Sequence, residues 1–203
     1  VTSREKPVGY QVTLEPTNLP ILYALDLPAK IPEDTSLSAS YEIGTRTPVT
    51  ERKLYSASSY TDYSYGADMP GWMLRRDLQL PTNRDPRTRA LAAQWRASSD
   101  SPAQMVQDAL HMFHDQKFSY TLQPGVLTSE DRVDQFLFDT RRGFCEHYAG
   151  AFVYLMRAAG IPAHVVIGYQ GGTLNPLDGY YVVRQQEAHA WAEIWLPQQG
   201  WVR

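Results

Sequence analysis

The stretch from Cys145 to Leu196 constrains the fold more than any other part of the chain. It opens with a helical pattern that Gly160 and Pro162 bring to an end. The apolar positions of that pattern are Cys145, Tyr148, Ala149, Phe152, Leu155, Met156 and Ala159. Strand patterns follow at 163–169 and 180–183, with a polar, glycine-rich loop between them. A helix followed by antiparallel strands predicts an α+β fold in which Cys145 lies in the first turn of the main helix.

Residues 188–196 alternate strictly between two faces, as in a strand that has different neighbours on its two sides. One face would carry His189, Trp191, Glu193 and Trp195, and the other Ala190, Ala192 and Ile194. We expect the helix to bury its apolar side on this sheet, with the small alanines allowing a close approach. A distant element would then bring a histidine toward Cys145.

The earlier part of the chain has a different character. Short stretches rich in β-branched and aromatic residues, broken by proline and glycine, run through 8–65 and predict a small β-rich module. Within it, 10–14, 21–25 and 37–43 are each predicted to be a short strand. Turn residues at 81–86 precede two helical patterns, the second introduced by Ser101 and Pro102. We therefore divide the chain into a β-rich N-terminal module, 1–80, and an α+β core, 81–203.

Charge and cysteine content exclude several classes of function. The 19 basic and 22 acidic residues give a net charge of -3, which does not suit binding to nucleic acid. No run of about 18 apolar residues is present, so nothing in this sequence is expected to span a bilayer. The single cysteine excludes an internal disulfide and a multi-cysteine zinc site. His111 and His114 have no third ligand nearby, and we expect no metal and no cofactor.

Cys145 is the candidate nucleophile and His189 the candidate base. Unpaired N–H groups at a helix N-terminus favour negative charge, which makes a thiol there more reactive. A base supplied by a separate element completes this type of site. Taken alone, a lone cysteine is more often a buried structural residue, so the local pattern leaves that alternative open.

The sequence segments around Cys145 and His189 are specific motifs. The segments Gly143-Phe-Cys-Glu-His-Tyr-Ala149 and Ala188-His-Ala-Trp-Ala-Glu193 resemble the core motifs of the transglutaminase-like superfamily, and the likeness runs from about residue 131 to 203. The chain most resembles the periplasmic domains of membrane-anchored bacterial transglutaminases. This resemblance implies a papain-like core, a periplasmic location, and a parent protein anchored in the inner membrane by segments outside this chain.

The resemblance also implies a reaction. A Cys-His-Asp triad would form a thioester with a glutamine side chain and transfer the acyl group to an amine such as lysine, so the expected partners are proteins or peptides that supply glutamine and an amine. Cys145 and His189 match two triad positions. The family's aspartate follows soon after a Gly-Trp motif, here at Gly200, and is therefore expected just beyond Arg203. Glu193 lies roughly 13 Å along the strand from His189, too far to replace it.

Two other functions remain open. A cysteine protease, amidase or deamidase would use the same fold and the same thioester or acyl-enzyme chemistry with water as acceptor. A non-catalytic interaction module is the third possibility, and the presence of both Cys145 and His189 counts against it.

Overall fold

The computed structural model describes residues 1–203, which form two compact units, Val1–Tyr65 and Gly66–Arg203. The sequence predicts the boundary between them at residue 80. In the structure the segment before that point is bonded within the second unit: the backbone carbonyl of Asp77 accepts the backbone N–H of Ala163 at 3.0 Å, and the backbone carbonyl of Gln79 accepts from the Arg157 guanidinium at 2.9 Å. None of the helices combines the length and apolar character needed to cross a bilayer.

The first unit consists of short antiparallel strands. They are β1 (Thr2–Ser3), β2 (Val8–Leu14), β3 (Ile21–Leu22), β4 (Leu27–Lys30), β5 (Thr35–Leu37), β6 (Ile43–Thr45), β7 (Lys53–Tyr60) and β8 (Tyr63–Ser64). They pair as the three-stranded sheets β2-β7-β4 and β3-β6-β5 and the ribbon β1-β8. Tyr55 lies in the core of this unit and donates to the carbonyl of Tyr23 at 2.6 Å. Burial raises the pKa of Tyr55 to about 12.

One predicted strand of this unit is broken in the structure. The stretch 37–43 reads as a single strand, but β5 ends at Leu37 and β6 begins at Ile43. The hydroxyl of Ser38 accepts the backbone N–H groups of Ser40 and Glu42, and Tyr41 adopts a left-handed conformation with φ 62°. Local side-chain bonding has replaced strand pairing here.

The second unit carries the helices. They are α1 (Gly71–Arg76), α2 (Pro86–Ser98), α3 (Pro102–Asp115), α4 (Arg132–Asp134, continuing as π-helix over Gln135–Thr140) and α5 (Cys145–Ala158). Its strands are β9 (Ser119–Tyr120), β10 (Arg142–Gly143), β11 (Ala163–Tyr169), β12 (Thr173–Leu174), β13 (Tyr181–Val182), β14 (Ala188–Leu196) and β15 (Gly200–Val202). Ser101 caps α3 by accepting the N–H of Gln104, as the sequence predicts.

A helix-on-sheet layer forms the centre of this unit. The antiparallel sheet has the order β11-β14-β15, and α5 packs against β14 and β11. The shared core includes Leu155 and Met156 of α5, Ala163 of β11, and Ile194 and Leu196 of β14. The predicted α+β arrangement, with the cysteine-bearing helix on an antiparallel sheet, is confirmed.

Two buried carboxylates cap each other's helices beside this layer. Asp85, just before α2, accepts the N–H groups of Val133 at 2.9 Å and Asp134 at 3.0 Å at the start of α4. Asp134 in turn accepts from the N–H groups of Arg87 and Thr88 and from the Thr88 hydroxyl, at 2.6 to 2.8 Å. Because α2 and α4 also contact α5, these reciprocal hydrogen bonds stabilise the position of the helix that carries Cys145.

Asp134→Ala is expected to lower the free energy of unfolding of the second unit by about 3 kcal/mol, because it leaves buried N–H groups at the start of α2 unpaired. All five tryptophans lie within 66–203, so tryptophan fluorescence in urea follows this unit. Asp139→Ala is the matched control: its exposed carboxylate pairs with Arg87 at 2.8 Å, and its loss should cost less than about 0.5 kcal/mol. Equal unfolding midpoints for the two variants would contradict the capping role.

Candidate active site

Cys145 is the first residue of α5, as predicted. The preceding residue, Phe144, has extended backbone angles, and the thiol is free and half-buried. The first backbone N–H groups of a helix have no partners within it, and they favour negative charge on a group placed beside them. The half-buried cysteine therefore lies at the electropositive end of the helix.

The chain that leads into α5 is held by a short parallel ribbon. Strand β10 pairs with β9, and the N–H groups of Ser119 and Thr121 each donate at 2.8 Å to the carbonyls of Arg141 and Gly143, respectively. Gly143 is required at this point, because a Cβ there would lie 2.6 Å from the Cβ of His147. The ribbon and this close contact fix the backbone two residues before the thiol.

His147 belongs to the same support. Its Nδ1 accepts the backbone N–H of Phe144 at 3.4 Å, and its ring lies edge-on to Phe144 with centroids 4.5 Å apart. The imidazole also contacts Phe136 at 5.6 Å. His147 therefore closes the N-terminus of α5 from its third helical position.

The turn after α5 determines how the helix runs relative to the sheet. The chain leaves α5 through a tight turn at Gly160, whose φ is 88°, and β11 then starts at Ala163 beside Ile194, near the far end of β14. Strand β11 runs antiparallel to β14 and ends with Tyr169 beside Ala188. Helix α5 thus runs antiparallel to β11 and in the same direction as β14.

The lengths of these elements predict that the two candidate catalytic residues lie at one end of the layer. The 14 residues of α5 span about 21 Å and the seven of β11 about 23 Å, so α5 begins level with the start of β14. Cys145 is the first residue of α5 and His189 the second of β14. We therefore expect both residues at the same end of the layer; no hydrogen bond joins the two side chains.

His189 lies on the face of β14 that the alternation predicts. Its strand neighbour Ala190 is buried on the opposite face, while His189 is half-buried and paired across the sheet with Gly168. The imidazole lies nearly parallel to the ring of Trp191, with an interplanar angle of 22° and centroids 6.5 Å apart. Among residues 1–203, no carboxylate is hydrogen-bonded to His189.

Glu193, on the same face, is enclosed rather than exposed. It is 9% exposed, its Oε2 lies 3.2 Å from Nε2 of His164, and its Oε1 accepts from the Trp191 indole at 3.5 Å. The His164 ring packs on Trp201 with centroids 4.0 Å apart. No group of three or more His, Cys, Asp or Glu side chains in the chain is arranged to hold a metal ion.

This buried pair is not evident from the sequence alone. The alternation of β11 and of β14 assigns each residue to one face of its strand. Only the register between the two strands puts His164 opposite Glu193. Gly168 is a second missed position: a Cβ there would lie 2.9 Å from the Trp191 ring, a constraint invisible without the register.

The fold, a cysteine-bearing helix packed on an antiparallel sheet, is typical of one class of protein, and sequence comparison identifies the same class. Residues 89–203 match the transglutaminase-like superfamily, and residues 2–66 match the TgpA N-terminal domain. The chain belongs to the transglutaminase-like superfamily and has its mixed helix and sheet, papain-like fold.

Particular relatives are also close. A Pseudomonas aeruginosa protein-glutamine gamma-glutamyltransferase is 45% identical over 199 residues, which cover 98% of this chain and 30% of the relative. The crystal structure of the periplasmic domain of TgpA from Pseudomonas aeruginosa is 44% identical with a TM-score of 0.94, over 99% of this chain and 69% of that one. The uncharacterized protein YebA of Bacillus subtilis is 36% identical over 63% of this chain and 18% of its own length.

Proposed function

We propose that this chain is the catalytic part of a protein-glutamine gamma-glutamyltransferase. The observation that carries the proposal is that Cys145 begins α5 and that α5 packs on β14, the strand whose second residue is His189. The Pseudomonas aeruginosa relative that bears the name of this activity supports it. The chain spans less than a third of that relative's length, so the activity of the whole protein is part of the proposal.

The proposed reaction begins with the thiol. His189 takes the proton of Cys145, the sulfur attacks the carboxamide carbon of a glutamine side chain, and a carbon–sulfur bond forms. The carbon–nitrogen bond then breaks, and the nitrogen takes the proton from His189 and leaves as ammonia. An amine such as lysine attacks the thioester carbon, an amide bond forms and the carbon–sulfur bond breaks, and the proton lost by the amine passes through His189 to the departing sulfur.

In this proposal, the His189 imidazole and the Cys145 thiol meet at the edge of the α5–β14 layer. Alternation puts His189 on the face opposite Ala190, whereas α5 packs on the face that includes Ile194. The imidazole therefore meets the thiol at the N-terminal end of α5 rather than inside the helix–sheet interface. The backbone N–H of Cys145, at the start of the helix, is the first donor for the oxyanion of the tetrahedral intermediate.

We also propose that the acid that orients His189 comes from the chain that follows β15. Strand β15 is antiparallel to β14, with Gly200 opposite Leu196 and Val202 opposite Ile194. Further residues in this register would run along β14 toward His189. A carboxylate there would hold the imidazole in the required tautomer and stabilise its protonated form.

The location of the protein is proposed from its relatives. The solved Pseudomonas aeruginosa structures are of a periplasmic domain. We infer that this chain works in the periplasm as part of a larger protein anchored in the inner membrane by other segments. Its substrates would be periplasmic proteins or peptides that present glutamine and amine groups.

The products of the reaction test the proposal. A protein that continues about thirty residues past Arg203, long enough for a further strand and its flank, is given a glutamine-rich protein and a labelled primary amine. Mass spectrometry is expected to find the label on glutamine side chains. Deamidation without label would instead identify an amidase, chain cleavage a protease, and the absence of any product would favour an interaction module.

A further inference from the structure

The aromatic ring beside His189 is held from several directions. The indole N–H of Trp191 donates to Glu193 at 3.5 Å, and the Arg203 guanidinium lies 4.5 Å from the ring centroid. On the sheet side the ring lies over Gly168, where a Cβ would be 2.9 Å away. Few orientations other than the observed one are open to this ring.

Glu193 is itself fixed, so it can serve as an anchor. Its carboxylate is nine-tenths buried and is shared between Trp191 and the Nε2 of His164. The His164 ring is in turn packed on Trp201. A polar group enclosed in this way keeps its geometry, because losing a buried partner costs more than the bond itself contributes.

We propose that Trp191, anchored by Glu193, is a positioning residue for His189. The inference rests on the proposed function, because it takes His189 to be the base for Cys145. The indole forms a wall parallel to the imidazole at 22°, on a stretch of sheet where the opposite residue, Gly168, has no side chain to supply one. The wall keeps the imidazole from turning away from the thiol, and an oriented base spends more of its time in the reactive geometry.

The structure supplies a matched control for Trp191. Trp195 lies four residues further along the same strand and on the same face, and its indole donates to the carbonyl of Gly66 at 2.7 Å. Trp191→Phe and Trp195→Phe remove the same donor from the same strand. Only the first changes a ring that contacts His189.

The test is a double-mutant cycle on the alkylation of Cys145 by iodoacetamide, which needs no substrate protein. Trp191→Phe is expected to slow alkylation about fivefold, the size of an aromatic pair interaction, and Trp195→Phe to leave it unchanged. In a His189→Ala background, Trp191→Phe should have no further effect. For amine incorporation the same variant should lower kcat with little change in KM, because the acyl donor does not bind through His189.

Two further variants separate positioning from general destabilisation. Glu193→Gln keeps an oxygen for the indole and is expected to stay near the unaltered protein, whereas Glu193→Leu should behave like Trp191→Phe. Equal slowing by Trp191→Phe with and without His189, or equal slowing by Trp195→Phe, would overturn the inference. If His189→Ala alone leaves alkylation and amine incorporation unchanged, the proposed function fails first, and the two failures are thereby distinguished.

Discussion

Cys145→Ala is expected to lower the rate of amine incorporation into a glutamine-containing protein by about 10⁴-fold or more. Removal of the nucleophile from a cooperative catalytic group costs on this scale, because the remaining groups cannot form the covalent intermediate. The rate of label incorporation at saturating amine, followed by mass spectrometry, measures the loss. No other thiol is available in the chain to take over the reaction.

Loss of folding would produce the same result, so the variant needs a structural control. Cys145 is half-buried at the start of a helix, and alanine is a good helix former there. We expect the urea midpoint of tryptophan fluorescence to move little. A folded Cys145→Ala protein that still incorporates amine would show that the thiol is not the nucleophile.

His189→Ala is expected to lower the same rate by about 10³-fold, within the range seen when a general base is removed. The thiol remains in place, so slow alkylation of Cys145 should still be detectable in this variant. His114→Ala is the control: His114 lies in the last turn of α3 with its side chain 87% exposed. It should retain the full rate.

Chemical rescue of His189→Ala also tests whether His189 acts as the base for Cys145. Restoration of part of the His189→Ala activity by added imidazole would support the loss of a base rather than a change of structure. A rate for His189→Ala within about threefold of the unaltered protein, far smaller than the effect of removing a base, would contradict the proposed role of His189.

Elements with a long and regular pattern could be predicted from the sequence. The apolar spacing of 145–159 and the stop at Gly160 gave α5, and the alternation of 188–196 gave β14 and its two faces. The prediction of one strand over 37–43 was wrong because the Ser38 hydroxyl accepts a backbone N–H group and Tyr41 adopts a left-handed conformation. Residue propensities do not reveal either feature. The unit boundary differs for a similar reason, since the bonds of Asp77 and Gln79 come from residues far along the chain.

The candidate site divides in the same way. Cys145 and His189 could be predicted because the position of Cys145 at a helix start and the sequence motifs around both residues indicate them. The environment of His189 could not, because it depends on the register of β11 and β14, which brings Gly168 opposite His189 and His164 opposite Glu193. A shift of one residue would move every side chain of a strand to the other face, so these contacts exist only in one pairing.

The central claim is that Cys145 forms a thioester with a glutamine side chain. Its most direct test is mass spectrometry of the intact protein, extended past Arg203, after brief mixing with a glutamine peptide in the absence of an amine and quenching in acid. We predict an adduct on Cys145 with the mass of the peptide less one ammonia, which disappears when an amine is added. Amine incorporation without any adduct on Cys145, or the same adduct in Cys145→Ala, would contradict the account.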